Sequence, residues 1–478
     1  MARLSHSLYA GWRASNPAFP VLREGQGAAP PERLLQAVWR HQRLRRDQLV
    51  TFDGQKLRVL HPGFKNREAG PDFREAVLQF GSETPRSGDI EIDLHTAGWR
   101  GHGHDRNPNF KNVILHIVWG RAEKNPTPLP TLALENVLDS PLDELARWLG
   151  SEAEAQFPLS QTGQCSAPLR DLGTPQIAEL LSQAALIRLQ RKAAELQARA
   201  RDAGWENALW EGIFRALGYK QNSWPFLRLA ESLPELRDPG LSALTWQARL
   251  LGVAGLLPSQ APPGAEKYLS QVWDLWWRER ERFSGLILPK SVWRFNGLRP
   301  ANHPQRRLAL ASYWLASGDL FARLEKWFTD EAVDPAPRHS LLEACRTPSD
   351  PFWSWHWTLR SSRLSGPQPL LGLARMSDLA MNVLLPWFWV RAVAGKNETL
   401  KNRAETLYFS WPSAGDNATL RLARQRLLGA SGEKIPRTAA AQQGLLQIVA
   451  DFCRHSNAVC AQCQFPDLVR QASTPDIS

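Results

Sequence analysis

The chain has 478 residues, of which 43% are hydrophobic and 22% are charged, with a formal net charge of +11 at pH 7. A chain of this length can bury enough apolar surface to fold without disulfides, and two or three domains are expected. The excess of positive charge excludes a strongly acidic protein and favours an anionic partner, of which nucleic acid is the first candidate.

The expected location of the protein follows from three features of the sequence: its first residues, its most apolar window and its cysteines. The first 19 residues hold no apolar segment long enough for a signal peptide. The most apolar window, residues 379–395, is interrupted by Pro386 and Arg391, whereas a membrane span needs about 18 or more apolar residues in a row. The five cysteines are too few for a disulfide scaffold. We therefore expect a cytoplasmic protein with no membrane segment.

After a Pro-, Gly- and Ala-rich segment, residues 1–30, that we expect to be loosely ordered, residues 31–145 predict a compact α/β domain. Its first helix is indicated by apolar residues at helical spacing, namely Leu34, Leu35, Val38 and Trp39. Strands are predicted over 57–63, 73–80, 88–95 and 112–119, with 129–136 as a candidate fifth. An order of helix, three strands, short crossover and further strands indicates a mixed sheet with flanking helices.

Helical periodicity replaces this alternation over residues 146–440. Helices are predicted over 174–203, 205–219, 241–257, 267–283, 304–328, 374–394 and 417–429. No period of about 20–50 residues repeats, so the pattern predicts an irregular α-helical domain rather than a solenoid. A last helix around 438–455 leads into a cysteine-bearing tail, residues 441–478.

The clustered acids and imidazoles of the stretch 61–119 are the strongest functional signal. Asp72 follows a proline at the start of a predicted strand, and Glu91, Asp93 and His95 alternate along the next strand, which predicts that they share one face. Carboxylate oxygens are the ligands of hard cations such as Mg²⁺ or Mn²⁺. Such a cation can activate the attack on a phosphodiester. The alternative is that these acids are a solvated face of the sheet.

Other polar residues of this stretch are auxiliary candidates. Glu68 could supply a further acid, and Lys111 a cation near the site. His102 and His104, separated by one glycine, could form a metal pair or a phosphate-binding loop, or could be an ordinary polar loop. His116 lies in an apolar strand and is expected to be a hydrogen-bonded core histidine.

The arrangement resembles the PD-(D/E)XK nuclease superfamily, with Pro71-Asp72 as the first element and Glu91-Ile92-Asp93 as the second. The resemblance implies a restriction-endonuclease-like fold in which Asp72, Glu91 and Asp93 hold the metal. His95 or His102 would orient the attacking water. The superfamily's lysine, two residues after the second acid, is Asp93 here. Either His95 or Lys111 replaces it, or the protein binds nucleic acid as a catalytically inactive scaffold.

A second resemblance spans most of the chain. The segments HPG…AGPDFREA, GDIEIDLHTAGW, HGHD…NVILHIVW and GLRPANHP are similar to an uncharacterised bacterial family of unknown function. In that family the strand reads Glu-Ile-His where this chain has Glu91-Ile92-Asp93. The resemblance implies a nuclease-like N-terminal domain without an established activity. A hydrolase of small phosphorylated substrates is a third hypothesis, which predicts a closed pocket around the acids.

Three cysteines close to the C-terminus form a second candidate metal site. Cys453, Cys460 and Cys463, joined by the distant Cys165, could hold a 4Fe-4S cluster or a zinc ion. The layout resembles iron-staple nucleases of the AddB and CRISPR-adaptation type, in which one distant cysteine joins three C-terminal ones. The alternative is that these thiols are small buried hydrophobes.

Basic residues in two places could follow a nucleic acid, with DNA favoured. One group surrounds a predicted helix start and consists of Arg299, Asn302, Arg306 and Arg307, where backbone donors and guanidinium groups would suit a phosphate. The other group is the face of the long helix that carries Arg188, Arg191 and Lys192. Either group could instead be a solvated helix face.

Overall fold

The computed structural model describes residues 7–15, 30–66, 70–120, 127–149, 163–219, 221–295, 298–330, 336–413, 418–429, 438–453 and 463–473. Two helices come first, α1 (Leu8–Ser15) and α2 (Glu32–His41). The first falls within the segment expected to be loosely ordered. It differs from that expectation because Tyr9 is fully buried and its hydroxyl donates to Asp451 at 2.7 Å, which ties the helix to the C-terminal part of the chain.

The sheet of the α/β region has six strands: β1 (Leu57–His61), β2 (Phe64–Lys65), β3 (Phe73–Phe80), β4 (Arg86–Ile92), β5 (Val113–Val118) and β6 (Thr131–Ala133). The strand order is β1-β3-β4-β5-β6, and β2 pairs with β3 at one side. The pairs β1–β3 and β3–β4 are antiparallel, whereas β4–β5 and β5–β6 are parallel. This is the mixed α/β sheet that the sequence predicts.

Helix α2 covers one face of this sheet. Its apolar positions, at the spacing that the sequence shows, are buried in a core with strand residues such as Phe73 and Ile90. The Trp39 indole also donates to the Pro62 carbonyl at 2.9 Å. The connection from β4 to β5 contains the short helix α3 (Gly98–Gly101), and α4 (Leu142–Leu149) closes the region.

Two details of the sheet differ from the sequence-based prediction. Strand β4 ends at Ile92 rather than at His95, and the two-residue strand β2 was not predicted. A break in register between Phe73 and Ala76 of β3 leaves Glu75 with a φ of +56°. A bulge of this kind bends the strand next to Asp72.

The rest of the described chain is mostly helical, as predicted, although residues 345–372 between α13 and α14 form turns and loops. The helices are α5 (Ser166–Asp171), α6 (Thr174–Leu217), α7 (Ser223–Glu231), α8 (Leu233–Leu236), α9 (Ala243–Val253), α10 (Glu266–Glu279), α11 (Pro304–Ser317), α12 (Leu320–Thr329), α13 (Pro337–Ala344), α14 (Leu373–Leu379), α15 (Leu385–Ala394), α16 (Glu398–Ser410), α17 (Ala418–Leu428), α18 (Ala439–Ile448) and α19 (Phe465–Ser473). Among the described residues, no helix combines the length and the apolarity needed to cross a membrane.

The long helix α6 is two helices in one run. Gly204 has a φ of +81° and a ψ of 161°, outside the helical region, and glycine adopts such a conformation without steric cost. The two halves then meet, because Arg199 of the first half pairs with Glu211 of the second at 2.8 Å. Leu60 and Val77 of the sheet share a core with helical residues, so the α/β and helical regions pack against each other.

Candidate metal centre

The carboxylates of Asp72 and Glu91 lie where the start of β3 meets the end of β4, and each accepts a backbone hydrogen bond. Asp72 immediately precedes β3, and Glu91 lies on β4. The Asp72 backbone N–H donates to Glu91 Oε2 at 3.0 Å, and the Ile92 N–H donates to Asp72 Oδ2 at 3.2 Å. These two hydrogen bonds hold the carboxylates side by side, as the sequence predicts for residues of paired strands.

Helix α2 adds an acid and an amide that the sequence analysis missed. Gln36 Nε2 donates to Asp72 Oδ1 at 2.7 Å and to Glu32 Oε1 at 3.2 Å. Lys65 Nζ in turn donates to Gln36 Oε1 at 3.0 Å. The sequence held one signal for this contact, because Gln36 is a polar residue within the apolar stripe of α2. The structure shows that it is buried there. A buried amide requires hydrogen-bond partners from outside its own helix.

The third carboxylate, Asp93, is held by two histidines. His116 Nε2 lies 2.9 Å from Asp93 Oδ2, and His102 Nδ1 lies 3.0 Å from Asp93 Oδ1. Asp93 is 2% exposed and His116 is fully buried. Gly98 lies so close to this carboxylate that a Cβ there would be 2.6 Å from Asp93 Oδ1. His116 is therefore the hydrogen-bonded core histidine that its apolar strand predicts, and its partner belongs to the site.

The loop between β4 and β5 brings His104 to the acids. His104 Nε2 lies 3.1 Å from Glu91 Oε1, and its ring stacks on Phe110 with centroids 4.1 Å apart. The two groups are close enough for an electrostatic contact but are not aligned for a hydrogen bond, so this nitrogen has no hydrogen-bond partner in the described part of the chain. A buried imidazole nitrogen beside two carboxylates is a suitable ligand for a cation.

Burial makes the acids hard to ionise. Burial, reinforced by the charge of Glu32, raises the pKa of Asp72 to about 7. Burial and the charge of Asp72 raise the pKa of Glu91 to about 9. Burial and the charge of Asp93 also raise the pKa of Glu32. The site thus concentrates more acid than its own side chains neutralise, and a bound cation would relieve that repulsion.

The donor atoms fit a metal ion. Within the described residues, one group of three ligand atoms from His, Cys, Asp or Glu lies within 4.8 Å of one another, and it consists of Asp93, His102 and His104. A set of one carboxylate and two imidazoles suits a divalent transition metal. Mg²⁺ prefers oxygen ligands of the kind that Asp72 and Glu91 offer. The structure thus places the predicted Asp93 with the histidine loop.

Two predicted site residues, His95 and Lys111, are not brought into this cluster. His95 lies in the bend that follows β4 and is exposed, because the strand ends three residues before it, at Ile92. Lys111 is exposed at the end of the 3₁₀ helix Pro108–Phe110, and among the described residues it forms no ion pair with the acids. Glu68 lies outside the described residues.

Three of the four candidate cysteine ligands meet in one core. Cys165, Cys453 and Cys463 belong to a single apolar cluster formed by helices at the two ends of the helical region. The Cys463 thiol lies 3.7 Å from the Phe452 carbonyl oxygen. Cys460 lies outside the described residues. Among the described residues, no group of three thiols lies within metal-binding distance, and the 4Fe-4S cluster or zinc ion stays a prediction.

The basic group at the start of α11 is structural. Arg306 is fully buried and donates to the backbone carbonyls of His356, Gln368 and Pro369. Arg307 donates to the carbonyls of Leu370 and Ala301 and to Asn302 Oδ1. These carbonyl oxygens occupy most of the guanidinium donors and leave the Nε of each arginine without a hydrogen-bond partner in the described residues. This packing gives Arg306 and Arg307 a structural role, and the phosphate-binding role predicted for them and for Asn302 stays a prediction. Arg299, at the surface, is exposed.

The other basic group lines the interior of the helical region. Arg188 donates to Gln443 Oε1 at 2.5 Å. Arg191 is 15% exposed and lies 3.9 Å from Glu195. Lys192 donates to Asn382 Oδ1 at 2.7 Å. These side chains are partly buried between helices, and the nucleic-acid-binding role that the sequence suggests for them stays a prediction.

Comparison with known proteins identifies the family alone. Residues 32–417 match DUF2851, a family described as proteins of unknown function. Nothing matches among curated proteins or among solved structures. The match includes the sheet, the acid and histidine cluster and most of the helical region, and it confirms the resemblance to a family of unknown function. The chain therefore belongs to the DUF2851 family.

Proposed function

We propose that this protein hydrolyses phosphodiester bonds in nucleic acid, with DNA as the favoured substrate, using a divalent cation held by its acid and histidine cluster. The observation that carries the proposal is the convergence of Asp72, Glu91 and Asp93 with His102 and His104 at the adjoining ends of two strands. Carboxylates and imidazoles at one point are the ligands that metal-dependent phosphodiesterases require.

The order of the elements supports a restriction-endonuclease-like fold. Helix α2 precedes the antiparallel strands β1, β3 and β4, and a crossover then leads to β5, parallel to β4. Asp72 at the start of β3 and Glu91 on β4 take the places of the two acids in the PD-(D/E)XK pattern. This order of elements supports the resemblance that the sequence suggests.

Asp93, His102 and His104 would hold the cation. Glu91, next to His104, and Asp72, next to Glu91, are further candidate ligands. When bound, the cation would polarise the phosphate ester and supply a nucleophile at neutral pH. Because imidazole nitrogens belong to the ligand set, we expect a transition metal such as Mn²⁺ to support activity better than Mg²⁺.

In this proposal Lys65 supplies the positive charge that a lysine near the second acid supplies in the superfamily. Asp93 stands at the position of that lysine, whereas Lys65 reaches Gln36, which donates to Asp72. The Lys65 charge lowers the pKa of Asp72 against the larger effect of burial. His116 positions Asp93, and His102, with 59% of its side chain exposed, is the member that substrate and water can reach.

An anionic substrate is supported by the charges around the cluster. The loop that carries His102 and His104 also exposes Arg100, Arg106 and Lys111. Arg106 has 91% of its side chain exposed. Together with the net charge of +11, these cations favour a polyanion at the mouth of the site.

The test is a cleavage assay with a matched pair of isosteric variants. Full-length protein is incubated with single- and double-stranded DNA and with RNA, in Mn²⁺, Mg²⁺, Zn²⁺ or EDTA. Glu91→Gln should abolish metal-dependent cleavage, since an amide can still accept from the Asp72 N–H but binds a cation poorly. Glu83→Gln, an exposed acid of the same sheet region, should cleave normally. Equal cleavage by the two variants would contradict the assignment.

A second candidate is nucleic-acid binding without cleavage. It is favoured by one observation, namely that both oxygens of Asp93 already have histidine partners, His102 and His116, at the position where the superfamily has its lysine. This candidate predicts DNA affinity that falls steeply with salt and no cleavage with any of the three metals. Cleavage lost in Glu91→Gln would exclude it.

A further inference from the structure

A cavity of about 420 Å³ lies between the C-terminal end of α2 and the hairpin formed by the two halves of α6. Arg191, Lys192 and Glu195 come from the first half of α6, and Arg215 comes from the second half. Arg43, just beyond α2, completes the polar wall. A smaller chamber of about 220 Å³ shares Arg215, Tyr219 and Asn382 with it. Volumes of this order accommodate small-molecule ligands.

Two cations of this cavity share one carboxylate at long distances, and a third cation lies beside them. Arg191 Nε lies 3.9 Å from Glu195 Oε1, and Arg215 Nη1 lies 3.8 Å from Glu195 Oε2. Both separations exceed hydrogen-bond length. Lys192 has the neutral Asn382 amide oxygen as its hydrogen-bond acceptor. When Lys192 is protonated, as a bound anion would favour, three positive charges and one negative charge leave an excess of two positive charges.

The other charged residues of the cavity wall do not remove this excess. Arg43 donates to Asp139 Oδ2 at 2.7 Å. Arg46 and Arg199 both pair with Glu211, and they reach further acids in Glu231 and Asp47 respectively. These cations are already neutralised by their own acids. Two guanidinium nitrogens, Arg43 Nη1 and Arg191 Nε, have no hydrogen-bond partner in the described part of the chain.

The pKa values reflect the same imbalance. Burial, with the charge of Arg188, lowers the pKa of Lys192 well below its ordinary value. Burial also lowers the pKa of Arg215. Glu195 shows the opposite effect, because Arg215, Arg191 and Arg43 outweigh the effect of burial and lower its pKa to about 2. A buried anion would satisfy these cations, as guanidinium groups bind phosphate through paired N–H donors.

We propose that this cavity binds a small phosphorylated molecule through Arg191, Lys192 and Arg215. The excess of two positive charges matches a phosphate group, which carries close to two negative charges at neutral pH. Unpaired guanidinium nitrogens provide donors for its oxygens. The site is separate from the acid cluster, since Glu32 and Gln36 belong to the N-terminal half of α2 and Arg43 follows its C-terminal end.

Inorganic phosphate and pyrophosphate are the probes that test this site. The full-length protein in EDTA is titrated by calorimetry, with sodium chloride at matched ionic strength as the reference. Saturable binding of phosphate or pyrophosphate is expected. Arg215→Gln and Lys192→Met should weaken it by roughly 30-fold or more, the scale of losing one partner of a desolvated ion pair. Arg201→Gln, an exposed arginine on α6, is the matched control and should bind normally.

A variant with the opposite expected effect guards against misfolding. Glu195→Gln removes the acid that Arg191 and Arg215 share, so it should tighten phosphate binding at least a few-fold, which structural damage would not do. Heat from both anions no greater than from chloride, or unchanged affinity in both Arg215→Gln and Lys192→Met, would overturn the proposal. Glu91→Gln should bind phosphate normally, so the outcome is distinct from that of the cleavage assay.

Discussion

The two ends of α2 contact two buried clusters of opposite charge. At the N-terminal half, Glu32 and Gln36 join the acids of the sheet, where the pKa values of Asp72 and Glu91 are raised. Beyond the C-terminal end, Arg43 faces a cavity in which the pKa values of Lys192 and Arg215 are lowered. Each cluster holds like charges that only a ligand of opposite sign would neutralise, so α2 lies between a candidate cation site and a candidate anion site.

The clusters differ in how the fold supports them. Asp72, Glu91 and Asp93 are held by backbone N–H groups and histidines. The cavity cations are held by two ion pairs longer than 3.5 Å and by an amide. We therefore expect the acid side chains to keep their positions when the proposed cation binds, whereas the cavity is expected to tighten around the proposed anion.

The largest expected effect is at the buried Asp93–His116 pair. Replacing His116 by leucine leaves a buried carboxylate without its imidazole donor, which should lower the free energy of unfolding by about 3–5 kcal/mol. Loss of a residue that orients a metal ligand should also weaken metal affinity by about 10–100-fold. Chemical denaturation and metal titration measure the two effects. His95→Leu, at an exposed position, is the control and should change the free energy of unfolding by no more than about 0.5 kcal/mol.

A somewhat smaller effect is expected on the pH dependence of the free energy of unfolding, to which the two clusters should contribute with opposite signs. The pKa of Glu91 is about 9 in the folded state and near 4.5 when unfolded, so between pH 6.5 and 8.5 the folded state binds about one more proton. Stability should therefore fall with rising pH, by about 3 kcal/mol for this residue in EDTA. In Glu91→Gln this part of the fall in stability with pH should be absent. The free energy of unfolding of the variant, relative to that of wild type, should therefore increase as pH rises. A constant difference in denaturation midpoints would contradict the raised pKa.

Lys192 should show the opposite sign. Its pKa is lowered in the folded state, so the unfolded state binds more protons, and stability rises with pH from the lowered value towards the ordinary lysine pKa. Lys192→Met should therefore be favoured over wild type most strongly at low pH, and the difference should shrink as pH rises. The same denaturation series measures this difference in the free energy of unfolding. If the advantage of Lys192→Met grew with pH, the lowered pKa of Lys192 and the opposite signs of the two clusters would be contradicted.

The sequence predicted the acid cluster much better than the cavity, and the reason is physical. Asp72, Glu91 and Asp93 lie on or beside strands whose alternation is visible in the sequence, and β3 was predicted to the residue. Glu32 and Gln36 were missed because only tertiary packing brings α2 against Asp72. The cavity depends on the chain reversal at Gly204, which brings Arg215 back to Arg191.

Arg306 and Arg307 show that tertiary packing can also give residues a role other than the one their sequence position suggests. Their position at a helix start predicts a phosphate site, but their acceptors are carbonyls of residues 301, 356, 368, 369 and 370, most of them more than 40 residues away in the sequence. Helical periodicity predicts which face of a helix is polar, and it does not say whether that face meets solvent or another segment's backbone.

The smallest expected effect concerns the exposed cations beside the acid cluster. If Arg100 and Arg106 meet phosphates of a bound nucleic acid, each change to glutamine should weaken binding of every sequence to a similar extent and reduce the salt slope of affinity by about 1. Binding in EDTA at several salt concentrations measures the slope. Arg201→Gln, on α6, removes the same charge far along the chain and should leave the slope unchanged. Equal slopes in all three variants would place the nucleic acid elsewhere, and the cation site would then have to serve a smaller phosphate ester.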